Sequence, residues 1–245
     1  MPRFYCSLPL APGLPLDLPD AVAHHVHVLR LQPGAMLTLF NGEGGEYAAE
    51  LLSVDKKRAR ALLGAHVARE AELPFALTLA QALPEASKMD WIIEKAVELG
   101  VTSIAPLAAQ RCVVRLSGER AAKRLAHWQG VIVAASEQSG RNRLAQLAPV
   151  ESFGSFIATP GAQRRILLSP RAGTSLAAWA QTQQPHALTI MIGPEGGFTA
   201  QEEEEAVAAG ALALSMGPRV LRTETAGMAA TATLAALWGQ AQPAA

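Results

Sequence analysis

Hydrophobic positions in residues 1–72 come in short runs separated by turn residues. Met36 to Phe40 is apolar, Asn41-Gly42 marks a turn, Tyr47 to Val54 alternates imperfectly, and Asp55-Lys56-Lys57-Arg58 makes a second, basic turn. The stretch from Pro19 to Arg30 reads as a short helix, stopped by Pro33-Gly34. A small β-barrel with one helix suits these elements. Polar Arg69-Glu70-Ala71-Glu72, closed by Leu73-Pro74, marks a linker, so the expected units are 1–72 and 73–245.

Beyond Pro74, strands alternate with helices, the pattern of an α/β domain with a mainly parallel sheet covered by helices. Phe75 to Leu83 is the first strand. Ser87-Lys88-Met89-Asp90 has the spacing of a capping box; Met89, Ile92, Ile93 and Ala96 then share one helical face, and Gly100 stops the helix. Val101 to Leu107 follows as a strand. A longer helix is expected from Glu119 to Ser139, with Leu125, Trp128, Ile132 and Ala135 inward and Gly140 at its end. Arg165 to Ser169 and Leu188 to Ile192 are short apolar strands with a helix over Leu176 to Gln181 between them.

Half of the 245 residues are hydrophobic and 17% are charged, which argues for a packed globular chain and against disorder. Met1-Pro2-Arg3-Phe4-Tyr5-Cys6 carries no apolar run of signal-peptide length, and no stretch suggests a membrane span, so a cytoplasmic protein is expected. The two cysteines, Cys6 and Cys112, lack the spacing of a zinc site, and His24, His25 and His27 splay around a helix without a second ligand cluster. Neither a disulfide nor a metal is expected. Net charge is zero, which speaks against a general electrostatic grip on nucleic acid. Between Arg111 and Arg143, however, seven basic residues face only Glu119 and Glu137, leaving this stretch at +5, either a contact track or a solvated helix face.

Candidate chemistry is concentrated in two late segments. In Leu188–Glu202 a buried strand runs into Gly193-Pro194-Glu195-Gly196-Gly197-Phe198 and then into a helix whose Thr199 and Glu202 have capping-box spacing. Glu202 to Glu205 crowd that helix start with negative charge, which excludes a phosphate cradle, and neither a Walker lysine nor a Gly-x-Gly-x-x-Gly is present. The glycines therefore suit close backbone approach to a less anionic ligand, or simply a tight turn. Leu214-Ser215-Met216-Gly217-Pro218-Arg219-Val220-Leu221-Arg222-Thr223-Glu224-Thr225-Ala226 is a second strand, Gly-Pro loop and helix. Ligands in open α/β sheets gather beyond the carboxyl ends of strands, so the two loops can line one pocket, with Arg222 and Glu224 as its charged pair.

With both segments in view, the chain resembles the bacterial small-subunit ribosomal RNA uridine-N3 methyltransferases of the SPOUT superfamily. The likeness extends to Lys95 and Glu98-Leu99-Gly100-Val101, to Glu137-Gln138 with Arg141-Asn142-Arg143, and to His24 ahead of Val28-Leu29-Arg30, and so spans nearly the whole chain. The resemblance implies a PUA-like RNA-binding barrel (1–72) followed by an α/β methyltransferase domain (73–245) with a C-terminal trefoil knot. Knots are so rare that no periodicity signals one. It implies S-adenosylmethionine as cofactor, held in the knot by three loops: Leu168, Ser169 and Pro170; Ile192, Gly193, Pro194, Glu195, Gly196 and Gly197; and Met216, Gly217, Val220, Leu221, Arg222 and Thr223. It further implies a homodimer paired through the helix Glu224 to Trp238, where Ala226, Gly227, Ala229, Ala230, Ala232 and Ala235 permit close packing; an alanine-rich helix docked on its own sheet would look the same.

The expected substrate is small-subunit ribosomal RNA, free or in the assembled subunit. Uracil N3 carries a proton at neutral pH, so its methylation needs a base and a stabiliser of the anion. Glu224 and Arg222 suit those roles, and equally a mutual structural ion pair; Glu137 and Arg141 are rivals for them. Arg3, Arg30, Lys56, Lys57, Arg141 and Arg143 are the expected RNA contacts, through phosphate attraction. Alternative readings are methylation of a ribose 2′-hydroxyl or another base, and an RNA-binding protein without catalysis.

Overall fold

A computed structural model describes residues 1–85 and 87–239; Ala86 and residues 240–245 of the expected 73–245 domain lie outside it. The chain divides into two units. Residues 1–72 together with 133–144 form the first, and residues 73–132 together with 145–245 the second. The later segment of the first unit has no counterpart in the expected division at residue 72.

The first unit is built on β1 (Arg3–Tyr5), β2 (Pro15–Asp17), α1 (Asp20–Val28), β3 (Met36–Phe40), β4 (Glu46–Val54) and β5 (Ala59–Val67). Its sheet runs β1-β3-β4-β5-β2, parallel between β1 and β3 and antiparallel elsewhere. The basic turn expected at 55–58 closes the β4–β5 hairpin, where the Asp55 amide donates to the Arg58 carbonyl at 2.7 Å. In β5, Ala59, Ala61 and Leu63 point inward and alternate with exposed Arg60 and Leu62, the pattern of a strand with one dry face. Helix α1 closes that face with Val22, Ala23 and Val26, leaving its three histidines exposed.

Residues 133–144 join this unit through charge. Arg141 pairs with Glu72, its Nε donating to Oε1 at 2.9 Å, and the Asn142 side-chain amide donates to the Arg69 carbonyl. Arg3 donates to Glu46 and to Asn142, while Arg69 donates twice more to Glu46.

The second unit comprises β6 (Leu77–Ala82), α2 (Lys88–Glu98), β7 (Ser103–Ala108), α3 (Gly118–Ser139, whose C-terminal part belongs to the first unit), β8 (Gln146–Leu147), β9 (Glu151–Ser152), α4 (Phe153–Ala158), β10 (Arg164–Leu168), α5 (Leu176–Gln181), β11 (Leu188–Ile192), α6 (Ala200–Ala208), β12 (Leu212–Leu214) and α7 (Thr223–Trp238). The sheet order is β12-β10-β11-β6-β7-β8, β9 also pairing with β7, and every pairing is parallel. Strand β11 is buried at all five positions, which explains its unbroken apolar run.

The capping box expected at Ser87 does not form, because the Asp90 carboxylate is already taken: Trp128 Nε1 donates to it at 3.0 Å and His127 Nε2 lies 2.8 Å away. Trp128 is accordingly buried, as its helical spacing requires. Cys6 and Cys112 are free and buried. Among the described residues no helix is long and apolar enough to cross a membrane, and no group of three His, Cys, Asp or Glu is placed to hold a metal ion.

Candidate functional site

Three strands of the second unit, β10, β11 and β12, end side by side, and the loops that leave them enclose a cavity of about 230 Å³. Leu168, Ser169 and Pro170 line it from the first loop, Ile192 to Phe198 from the second, and Met216, Arg219, Val220 and Leu221 from the third. Thr223 and Ala226 close it from the first turn of α7. The position follows from the topology: parallel strands all deliver their loops to one edge of the sheet.

Hydrogen bonds hold the second loop in shape. The Gly197 amide donates to the Pro194 carbonyl at 2.8 Å, with Gly197 in the left-handed region at φ +68°. The Thr223 hydroxyl donates to the Gly193 carbonyl at 2.6 Å and accepts from Nε2 of fully buried Gln81 at 2.9 Å. Arg111, arriving from the segment between β7 and α3, donates to the Gly196 carbonyl at 2.7 Å. Helix α6 starts with the expected capping box: Thr199 Oγ1 accepts from the Glu202 amide, and Glu202 accepts from the Thr199 amide.

The acidic run at the α6 start divides its labour. Glu202 is buried and also accepts from the Gln110 amide at 2.8 Å, while Glu203 lines the cavity, accepts from Ser169 Oγ and pairs with Arg171 at 2.8 Å. Glu195 pairs with Lys88 at 2.6 Å and accepts from the Glu85 amide. Desolvation pushes the Glu195 carboxyl up, but the Lys88 ammonium and the amide bonds outweigh it and hold the group below its ordinary value.

All the residues expected in the three cofactor loops line this cavity except Gly217 and Arg222. Arg222 and Glu224 do not form its charged pair. Arg222 is exposed and caps α7 with its carbonyl, which accepts from Thr225 and Ala226, and no ion pair joins it to Glu224 among the described residues. Glu224 is half-buried, with Oε2 enclosed and without a hydrogen-bond partner. The charged groups that do line the cavity are Arg111, Arg171, Glu195, Glu203 and Arg219. Arg111 lies far from both motifs in sequence, and Glu203 is hidden in a run that serves equally as helix-start charge; neither carries a local signal.

Gly196 is not where the backbone leaves least room. A Cβ there would meet only the flexible Arg111 side chain, at 3.2 Å from Cδ, whereas a Cβ on Gly193 would come within 2.8 Å of the Phe198 amide nitrogen and 3.0 Å of Gly197 backbone carbons.

Of the expected RNA contacts, Arg30, Lys56 and Lys57 are exposed, and Arg143 is exposed while pairing with Glu70 at 3.2 Å. Arg141 is corrected: only 2% exposed and paired with Glu72, it cannot reach a phosphate. Arg3 is held by Glu46 and Asn142 over the Phe40 ring. Within the basic stretch, Arg111 and Arg115 donate to backbone carbonyls of the second unit, Arg141 and Arg143 pair with glutamates of the first, and Arg120, Lys123 and Arg124 are exposed.

Comparison with known proteins agrees with this architecture. The profile of the RNA methyltransferase domain matches residues 71–235, and that of the RNA methyltransferase PUA domain matches residues 18–63. These matches define the class: an RNA methyltransferase domain preceded by a PUA domain. The ribosomal RNA small subunit methyltransferase E of Bacillus subtilis is 32% identical over 84% of this chain and 84% of its own length, and that of Synechocystis is 35% identical over 91% and 73%. The crystal structure of the Neisseria gonorrhoeae protein of that name, bound to S-adenosylmethionine, aligns with a TM-score of 0.91 at 39% identity over 99% of this chain and 100% of that one. The chain belongs to the ribosomal RNA small subunit methyltransferase E family, the one its two late motifs resemble.

Proposed function

We propose that this protein transfers a methyl group from S-adenosylmethionine to N3 of a uridine in small-subunit (16S) ribosomal RNA. The observation that carries the proposal is the cavity at the ends of β10, β11 and β12, lined by both late motifs. Its chemistry fits the cofactor. Leu168, Ile192, Met216, Val220 and Leu221 offer apolar walls to a purine, and the Gly193–Gly197 loop offers backbone groups where side chains would intrude. Relatives from Neisseria gonorrhoeae and Legionella pneumophila, the latter 35% identical with a TM-score of 0.91, carry S-adenosylmethionine in their structures.

When bound, the cofactor supplies an electrophilic methyl carbon on a sulfonium sulfur. The N3–H proton of the uracil must leave as the N3–carbon bond forms, and Glu224 is assigned as its acceptor. Its enclosed Oε2 has no competing partner, and it follows Thr223, which lines the cavity. Arg222, exposed beside it, is assigned to the charge that develops on the uracil carbonyls.

Residues 1–72 are read as a PUA-like RNA-binding barrel, with Arg30, Lys56, Lys57 and Arg143 toward phosphates. The C-terminal part is read as a trefoil knot from the family resemblance, and it is consistent with this that α7 leaves the sheet-edge strand β12 yet packs against α2, α5 and β11 and is tied to Gly193. A homodimer paired through α7 is supported by exposed Thr225, Ala232 and Leu237; Gly227 and Ala230, in contrast, serve packing within the unit. A cytoplasmic location is read from the ribosomal RNA substrate alone.

The test is methylation of small-subunit RNA, free and in assembled subunits, followed by digestion and chromatography against methyluridine standards. N3-methyluridine is the expected product, and label in a ribose-methylated or carbon-methylated nucleoside would defeat the assignment. Glu224→Gln and Arg222→Ala should depress turnover more than RNA binding, with raised pH partly rescuing the former.

A further inference from the structure

In the first unit, a groove of about 620 Å³ lies between β1, the C-terminal half of α1 and the last turns of α3. It joins two stretches that the cofactor cavity leaves unused, Val28-Leu29 and Glu137-Gln138, which lie far apart in sequence. Phe4, Val28 and Leu29 give it apolar walls, and Arg3, His25, Glu137 and Gln138 give it polar and charged groups.

Two features of the groove lack a purpose within the unit. Val28 and Leu29 are 59% and 53% exposed, a pair of large apolar side chains presented at one edge. Glu137 accepts from the Tyr5 amide through Oε1 at 2.8 Å, but no hydrogen bond among the described residues ends on its Oε2. Burial pushes the Glu137 carboxyl up against the opposing pull of the Tyr5 amide, His25 and Arg3.

Arg30, directly after Leu29, is the one non-glycine residue among those described with a left-handed backbone, at φ 54°. It ends α1 in the place glycine usually takes: the Arg30 amide donates to His27 and the Leu31 amide to Val26. A side chain there carries backbone strain that glycine would not. A guanidinium at a helix C-terminus gains from the helix dipole, and the Arg30 side chain is exposed directly after Leu29, which lines the groove.

We propose that this groove is a nucleobase site: an unpaired base of the RNA lies against Val28 and Leu29, an N–H on its edge donates to Oε2 of Glu137, and Arg30 meets the adjoining phosphate. A flat apolar body with N–H donors on its rim and an anion beside it is the description of a nucleotide. The inference rests on the reading that this protein acts on RNA, and adds a base-reading contact away from the cofactor cavity.

Glu137→Gln gives the proposal a sign that electrostatics alone does not. Removing a negative charge from an ordinary RNA-facing surface lessens repulsion and tightens binding. Loss of a base-edge acceptor weakens it instead, and glutamine keeps the carbonyl oxygen that Tyr5 needs. The experiment measures binding of four single-stranded RNA decamers, identical except for one central base, to the full chain by fluorescence anisotropy.

The parent should prefer some central bases over others. Glu137→Gln should bind the preferred decamer about tenfold more weakly, in the range of a lost charge-assisted hydrogen bond, and should lose the preference. Leu29→Glu, at an exposed position, should weaken all four, and Arg30→Ala should weaken all four and lower the salt slope by about one. Unchanged or tighter binding by Glu137→Gln together with unchanged binding by Leu29→Glu would overturn the site. So would variants that bind RNA normally but lose affinity for assembled subunits, which would make the groove a protein contact. A parent that binds none of the decamers, and methylates no ribosomal RNA, would remove this proposal and the functional reading together; methylation with unaltered groove variants would remove this proposal alone.

Discussion

The hydroxyl of Thr223, the first residue of α7, donates to the carbonyl of Gly193, the first residue after β11, at 2.6 Å. Gln81 Nε2 donates to the same hydroxyl from within the sheet, so a buried relay ties the cavity loop to the helix and the helix to the core. Thr223→Val keeps the shape and removes the relay. It should lower stability by about 1–2 kcal/mol and weaken S-adenosylmethionine binding by about tenfold. Thermal melts and titration calorimetry check both; unaltered cofactor affinity would show that the loop keeps its shape without the tether.

The two glycines of that loop should differ sharply. A methyl at Gly193 meets backbone atoms of residues 197 and 198, which cannot turn aside, whereas a methyl at Gly196 meets the side chain of Arg111. Gly193→Ala should therefore abolish measurable cofactor binding or destabilise by about 2 kcal/mol or more, with Gly196→Ala within about 1 kcal/mol of the parent. Equal effects in calorimetry and melting would contradict this ordering.

Arg141 and Arg143 are separated by one residue but should fail in different ways. Arg141→Ala strips the partner from Glu72 inside the first unit and should cost about 3 kcal/mol in denaturant unfolding. Arg143→Ala removes an exposed charge, changes stability by less than about 1 kcal/mol and should lower the salt slope of RNA binding by about one. A stable Arg141→Ala protein with weakened RNA binding would reverse the assignment.

Acid should unfold the first unit partly through Glu46. Hydrogen bonds from Arg69, and then from Arg3, hold its carboxyl at about 2, against an ordinary value of 4.5. The folded value is the lower one, so the stabilisation is complete above about pH 4.5 and is lost as pH falls through about 2. Because Arg69 is 41% exposed, solvent screening reduces the contribution to the order of 1–3 kcal/mol. Glu46→Gln should flatten the pH dependence of stability in that window, as followed by urea unfolding at a series of pH values.

Alternation and helical spacing were enough to locate β3, most of β4, the inward face of α3 and the strand β11, because each depends on local burial patterns. The capping box of α6 was equally legible, since Thr199 and Glu202 satisfy each other within one turn. The short strands β8 and β9 and helix α4 were not, being too brief for a period to register.

The sequence by itself determined the alternating α/β pattern, the two late loops and, through the length of their motifs, the family, which in turn implied the third loop. Only the tertiary structure decided which charges enter the cavity, because Arg111 and Glu203 are delivered by parallel strand order and helix packing rather than by neighbours in the chain. It likewise took Arg141 out of the surface and brought Glu137 to Tyr5, contacts between residues 69 and 132 positions apart that no local preference encodes. A charged side chain's role depends on its partner, and partners are chosen by the fold.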